Sequence, residues 1–238
     1  MSPLADAELT DLLYAQVARV GHALSSPHRL VLLDLLSQGE KTVETLAERA
    51  NYPVKNTSAH LRALREARLV LTRRAGKFVH YRVADPDVPR FLHDLRELAR
   101  GRLTDVDRLL RDHAGREVPT VAVATLGDQI GAARRPVVLD LRPADEHASA
   151  RVPGARSVPS AVLPGAVDTL PLRAHFVVYC RGAYCTHAAD AVTLLAASGR
   201  TAHALAGGFV AWQREGRLVD EDGRVSPAGA RPSARTDR

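Results

Sequence analysis

The hydrophobic positions change rhythm once along the chain. In the first half they recur at helical spacing, as Leu12, Leu13, Val17 and Val20, then Leu30, Leu32, Leu33, Leu35 and Leu36. Ser26-Pro27 opens the second of these helices, since a proline at the first helical position loses no hydrogen bond. A polar, turn-prone stretch from His113 to Thr120 follows. Beyond it, short apolar runs (Val137-Val138-Leu139, Phe176-Val177-Val178-Tyr179) alternate with helical patterns, as strand–helix units around a parallel sheet do. The pattern predicts two domains: a mainly-α one over residues 1–114 and an α/β one with a central parallel sheet over residues 117–222. The stretch from Gly223 to Arg238, rich in Gly, Pro, Ala and Arg, reads as a disordered tail.

Within the first half, a short helix is predicted from Thr42 to Ala50, a turn at Asn51-Tyr52-Pro53, and a helix from Val54 to Ala67. Two short helices joined by a tight turn make a helix-turn-helix. Leu61 and Leu64 must face the core, which draws Thr57 and His60 toward the same side and leaves Lys55, Ser58, Ala59 and Arg62 opposite. Leu69 to Thr72 and Phe78 to Arg82 then flank Arg73-Arg74-Ala75-Gly76-Lys77, a hairpin with a cationic tip, which reads as a wing. Further on, Val88, Phe91, Leu92, Leu95, Leu98, Val106, Leu109 and Leu110 predict one long helix of about 25 residues. That stripe suits a partner helix, and intradomain core fits it too.

Charge sharpens this picture. Residues 51–83 hold eight basic side chains against Glu66 alone, so this segment is more positive than the whole chain at +6. Such concentration on a helix-turn-helix and its wing favours a nucleic-acid surface over an ordinary solvated face. A hydrophobic content of 45% with 25% charged residues excludes collagen-like and wholly disordered classes. No run approaches the roughly 20 apolar residues of a membrane span, and Met1 to Glu8 lacks the basic-then-apolar order of a secretory signal. Two cysteines exclude a disulfide-stapled scaffold. A soluble, cytoplasmic protein is expected, with no membrane partner.

The runs Ser26-Pro27-His28-Arg29-Leu30, Asn56 to Ala67 and His80-Tyr81-Arg82 resemble the ArsR transcriptional regulators, over roughly residues 10–112. The resemblance implies a homodimeric repressor on a palindromic double-stranded DNA operator, joined through the first helix and the long helix after the wing. It implies DNA contacts from Lys55, Asn56, Thr57, Ser58, Ala59 and Arg62, and from Arg73, Arg74 and Lys77 on the wing. Many relatives sense metals through Cys or Asp/His clusters. Here residues 41–50 contain neither Cys nor His, and His93 and His113 lack a carboxylate pattern, so no metal site and no cofactor are expected.

In the second half, a buried strand delivers Cys180 to its C-terminal edge, a loop with Gly182 follows, and a helix starts near Cys185 or Thr186 and ends at Gly199. This order aims loop amides and a helix N-terminus at the sulfur, favouring a thiolate or bound anion. Arg181 adds a cation beside it. The plainer alternative is a small buried hydrophobe. Together with Val137 to Pro143, Arg151 to Arg156 and Ala206 to Trp212, the segment resembles a single rhodanese domain over roughly residues 117–220. That resemblance implies an active loop of Cys180, Arg181, Gly182, Ala183, Tyr184, Cys185 and Thr186, in which Cys180 takes a sulfane sulfur from a small donor and carries it as a persulfide. Asp140 and Arg142 match the family's loop-supporting pair. Thr186 stands where the related phosphatase loop has Arg, so phosphatase chemistry is disfavoured.

Two roles stay open for Cys185: a resolving thiol that attacks a persulfide on Cys180, or a small residue at a helix start. The whole chain resembles the ArsR–rhodanese fusion regulators. The function expected is a DNA-binding regulator that senses reactive sulfur, or a related thiol-reactive or anionic signal, at Cys180. The alternative is a working sulfurtransferase positioned by a DNA-binding domain.

Overall fold

The computed structural model describes residues 3–114, 118–132, 135–182, 185–221 and 224–227. The chain divides into two compact units, Met1–Arg96 and Glu97–Arg238. This division precedes the His113–Thr120 stretch where the change of rhythm put it, and falls within a helix.

The first unit runs α1 (Pro3–Leu24), α2 (Pro27–Ser37), β1 (Lys41–Thr42), α3 (Val43–Ala50), α4 (Val54–Glu66), β2 (Val70–Ala75), β3 (Phe78–Val83) and the start of α5 (Asp87–Arg102). Its core is leucine: Leu32, Leu33, Leu35 and Leu36 of α2 meet Leu46, Leu61, Leu64, Val70 and Leu92. Each fully buried side chain of this size contributes about 1.5–3 kcal/mol. Thr42 caps α3 by accepting a hydrogen bond from the Thr45 amide at 3.3 Å. Asn51 ends the helix in the left-handed conformation, φ 53°, and the Tyr52 amide returns to the Ala47 carbonyl at 2.9 Å. This cap makes the turn between the two helices tight. β1, β3 and β2 form an antiparallel sheet in the order β1-β3-β2, and Gly76 (φ 58°) lets the β2–β3 hairpin reverse.

The single long helix predicted after the wing is two. α5 ends at Arg102 and α6 (Thr104–Ala114) begins beyond Leu103. Gly101, a poor helix former, occupies the last turn of α5. Of the predicted stripe Leu92 is buried, whereas Phe91, Leu98 and Leu109 are exposed.

The second unit is a three-layer α/β fold. After α6 come β4 (Thr120–Val121), α7 (Val123–Ile130), β5 (Val137–Asp140), α8 (Ala144–Ser149), β6 (Arg156–Ser157), α9 (Leu163–Ala166), β7 (His175–Tyr179), α10 (His187–Ala197), β8 (Thr201–Leu205) and α11 (Gly208–Arg214). Five strands lie in the order β4-β8-β7-β5-β6, every pair parallel. Strand residues alternate between two cores. Leu139, Phe176 and Val178 pack on one face with Val192 and Leu195, while Val138, Val177 and Tyr179 pack on the other with Leu126, Phe209 and Trp212. Burial on both faces is why these strands read as unbroken apolar runs.

The stretch read as a tail from Gly223 is not wholly without structure. β10 (Arg224–Pro227) pairs antiparallel with β9 (Leu218–Glu221), a short hairpin whose second strand carries too little apolar signal to be legible. The rest of that expectation, residue 223 and residues 228–238, lies outside the described residues.

Candidate functional sites: a cationic helix and wing, and a cysteine loop

Along α4 the burial pattern separates two faces. Leu61 and Leu64 are fully buried, while Lys55, Asn56, Ser58, Ala59 and Arg62 are exposed. Thr57 departs from its expected DNA-facing role: it is fully buried, and its hydroxyl donates to the Pro53 carbonyl at 3.1 Å. Its place one turn before Leu61 puts it on the core side. His60 stacks on His28, ring centroids 5.1 Å apart, and its pKa is lowered by burial first, then by the charges of His28 and Arg29.

On the wing, Arg74 and Lys77 are exposed, with the Lys77 ammonium 5.2 Å from the Phe78 ring centroid. Arg73 is also exposed, but its guanidinium is ion-paired to Glu40, and that hydrogen bond raises its pKa. Arg62 is likewise engaged, with Glu66 at 3.0 Å. Exposed pairs of this kind are weak, so both cations can exchange a carboxylate for a phosphate at little cost.

Cys180 follows β7 at the C-terminal edge of the parallel sheet, where α/β folds gather their ligands. It is buried, and it is joined by a disulfide to Cys185, with Cα atoms 6.3 Å apart. Thr186 stands at the N-terminal end of α10 with no capping bond from its side chain, and the Cys185 amide donates to the Gly182 carbonyl at 3.0 Å. Ala183 and Tyr184 lie outside the described residues. The loop is docked on the start of α11: the Phe209 amide donates to the Cys180 carbonyl at 2.9 Å, and the Val210 amide to that of Arg181 at 3.0 Å.

Arg181 does not stand free to receive an anion. Its Nε and Nη2 donate to the Glu146 carboxylate at 3.0 and 2.7 Å, and that carboxylate is fully buried. The pair ties the loop to α8. Sequence reasoning missed Glu146 because nothing local connects positions 35 residues apart.

Asp140 and Arg142 hold a second buried network. Arg142 Nη2 donates to Asp140 Oδ2 at 2.7 Å and to the Ala150 carbonyl at 2.6 Å, and Asp140 Oδ1 accepts the Arg142 amide at 3.0 Å. Burial works against the Arg142 charge, but Asp140 outweighs it and the pKa is raised. The guanidinium lies 3.8 Å from the Phe209 ring centroid. The Tyr179 hydroxyl donates to Asp140 Oδ2 at 2.8 Å and accepts the Val152 amide at 3.2 Å. Burial, then the Asp140 charge, pushes the Tyr179 phenol well above its ordinary value. Neither Asp140 nor Arg142 touches Cys180 in these hydrogen bonds; they brace the strand end and the face on which α11 packs.

One juxtaposition was not foreseen. His187 Nδ1 lies 3.7 Å from Cys185 Sγ, and Cys180, Cys185 and His187 bring their potential metal-ligand atoms within 4.8 Å of one another. The spacing Cys180–Cys185–His187 was the available signal.

Comparison with known proteins agrees with this division. The model for the "Bacterial regulatory protein, arsR family" matches residues 26–72, and that for the "Rhodanese-like domain" matches residues 123–215. The chain is 38% identical to the HTH-type transcriptional regulator Rv0324 of Mycobacterium tuberculosis, over 88% of this chain and 92% of that protein. It is 39% identical to the probable mercury resistance operon repressor of Streptomyces lividans, over 30% of this chain and 57% of that one. A solution structure of the homodimeric winged helix-turn-helix domain of Mb0332 from Mycobacterium bovis matches at 42% identity, covering 39% of this chain and 86% of that one, with a TM-score of 0.37. A winged helix-turn-helix unit followed by a rhodanese-like unit, with a relative alike over nearly its full length, defines the class. The chain belongs to the ArsR-family HTH-type transcriptional regulators, in the form that carries a rhodanese-like domain. No helix among the described residues is long and apolar enough to cross a membrane.

Proposed function

We propose that the protein is a homodimeric operator-binding repressor whose DNA affinity is set by the sulfur state of Cys180 and Cys185. The observation that carries the reading is the bond between the two sulfurs, in a loop at the sheet edge of a rhodanese-like unit attached to a DNA-binding one. Exposed Leu9, Leu12, Leu13 and Val17 on α1 supply apolar surface that a second copy would cover. Lys55, Ser58, Ala59 and Arg62 are the residues assigned to the groove, and Arg73, Arg74 and Lys77 to phosphates.

The chemistry assigned to the loop runs in two steps. The Cys180 thiolate attacks the sulfane sulfur of a small persulfide, takes it as Cys180–S–SH and releases the donor's thiolate. The Cys185 thiolate then attacks the Cys180 sulfur, closes the disulfide and expels hydrosulfide. A dithiol reductant reopens the loop.

The test is a mass spectrum of the reduced protein after treatment with a small persulfide. The wild type should lose two hydrogens, and Cys185→Ser should instead gain the mass of one sulfur atom. No change in either protein, with both thiols free at the start, would overturn the reading.

A further inference from the structure

Cys185 has a second neighbour that the sulfur chemistry does not use. His187 Nδ1 lies 3.7 Å from its sulfur, and the donor atoms of Cys180, Cys185 and His187 fall within 4.8 Å of one another. A tetrahedral zinc ion with metal–sulfur and metal–nitrogen bonds of about 2.3 and 2.1 Å holds such donors about 3.6 Å apart. The Cys185–His187 edge already has that length. The Cys180–Cys185 edge is closed by the disulfide, and reduction lets the sulfurs part.

Charge points the same way. Two thiolates in a loop where Cys180 is buried carry a desolvation cost that a divalent cation would offset. Arg181, the cation beside Cys180, is already committed to the buried Glu146. Two thiolates and an imidazole form a soft donor set, suited to a d10 ion rather than to magnesium or calcium.

We propose that the reduced loop binds one thiophilic divalent ion, Zn2+ or Cd2+, through Cys180, Cys185 and His187, with the fourth position open. Binding displaces two thiol protons, and the metal and the disulfide exclude each other: the two-electron oxidation that makes the bridge removes both thiolate ligands. A dithiol, itself oxidised to a disulfide, supplies the two electrons that restore the site. The inference shares its cysteines with the sulfur reading but does not rest on it.

The test is a Cd2+ titration of the full-length protein after anaerobic reduction with a phosphine, followed by the thiolate-to-cadmium charge-transfer absorbance. Because the chain has two cysteines, that band reports this loop alone. One equivalent should saturate the band and protect both thiols from a disulfide reagent. The bridged protein should show no band, Cys185→Ser should lose stoichiometric binding, and His187→Ala should bind at least about tenfold more weakly. Cys185 is part-buried and His187 exposed, so neither substitution threatens the core. Failure of the reduced wild type to bind, equal binding by the bridged form, or unchanged affinity in His187→Ala would each overturn the assignment. The persulfide mass measurement uses no metal, so the two readings fail separately.

Discussion

Gly208 is pressed against the backbone of Cys180. A Cβ at position 208 would lie 2.7 Å from the Cys180 carbonyl oxygen and 3.0 Å from the Gly182 amide nitrogen, and the residue already has a left-handed φ of 62°. Both constraints meet where the Phe209 and Val210 amides bond to the loop carbonyls. Gly208→Ala therefore cannot keep this docking, since backbone, not a flexible side chain, is in the way. The substitution should lower the stability of the second unit by about 2–3 kcal/mol. It should also slow disulfide closure between Cys180 and Cys185. Chemical denaturation and the rate of thiol loss under a mild oxidant measure the two effects.

Tyr179 gives a pH signature. Its phenol is held protonated by burial and by the Asp140 carboxylate, so its pKa is raised on folding. The stability this contributes is present below the unfolded tyrosine value of about 10 and is lost as pH rises from there through the folded value. One of the chain's five tyrosines should thus resist ionisation until the protein unfolds. Tyr179→Phe should cost about 1–3 kcal/mol near neutral pH, because the Val152 amide loses its acceptor. The variant's stability should then fall less steeply above pH 10 than that of the wild type. Urea midpoints across the alkaline range decide it, and parallel curves would count against this account of Tyr179.

The wing makes an electrostatic prediction. Lys77 is exposed beside the hairpin turn. Lys77→Ala should weaken binding to all duplexes and reduce the slope of log affinity against log salt by about 1. Ser58→Val, on the exposed face of α4, should instead alter preference among operator variants while leaving that slope intact. Affinities measured over a salt series on two operators separate these outcomes.

What sequence reading recovered is what local chemistry writes. The Asn51 turn, the Gly76 hairpin and the strand leading to Cys180 each follow from a few consecutive residues, and the structure has all of them. Thr57 shows the limit of a motif carried over from relatives: helical spacing alone puts it beneath Leu61, and it is buried. What escaped is tertiary. The Arg181–Glu146 pair and the seat of Gly208 on Cys180 depend on which elements the sheet order brings side by side. The break at Leu103 escaped for another reason, since the apolar stripe continues across it and periodicity does not register a change of helix axis.

The central claim is that the state of the cysteine loop sets the grip on DNA. Its most direct test is the operator affinity of the intact protein, measured at one salt concentration with Cys180 and Cys185 first reduced and then bridged. The account predicts a shift of at least about fivefold between the two states of the wild type, the lower end of useful coupling between sites, and none in Cys180→Ser. Equal affinity of the reduced and bridged wild type would contradict it.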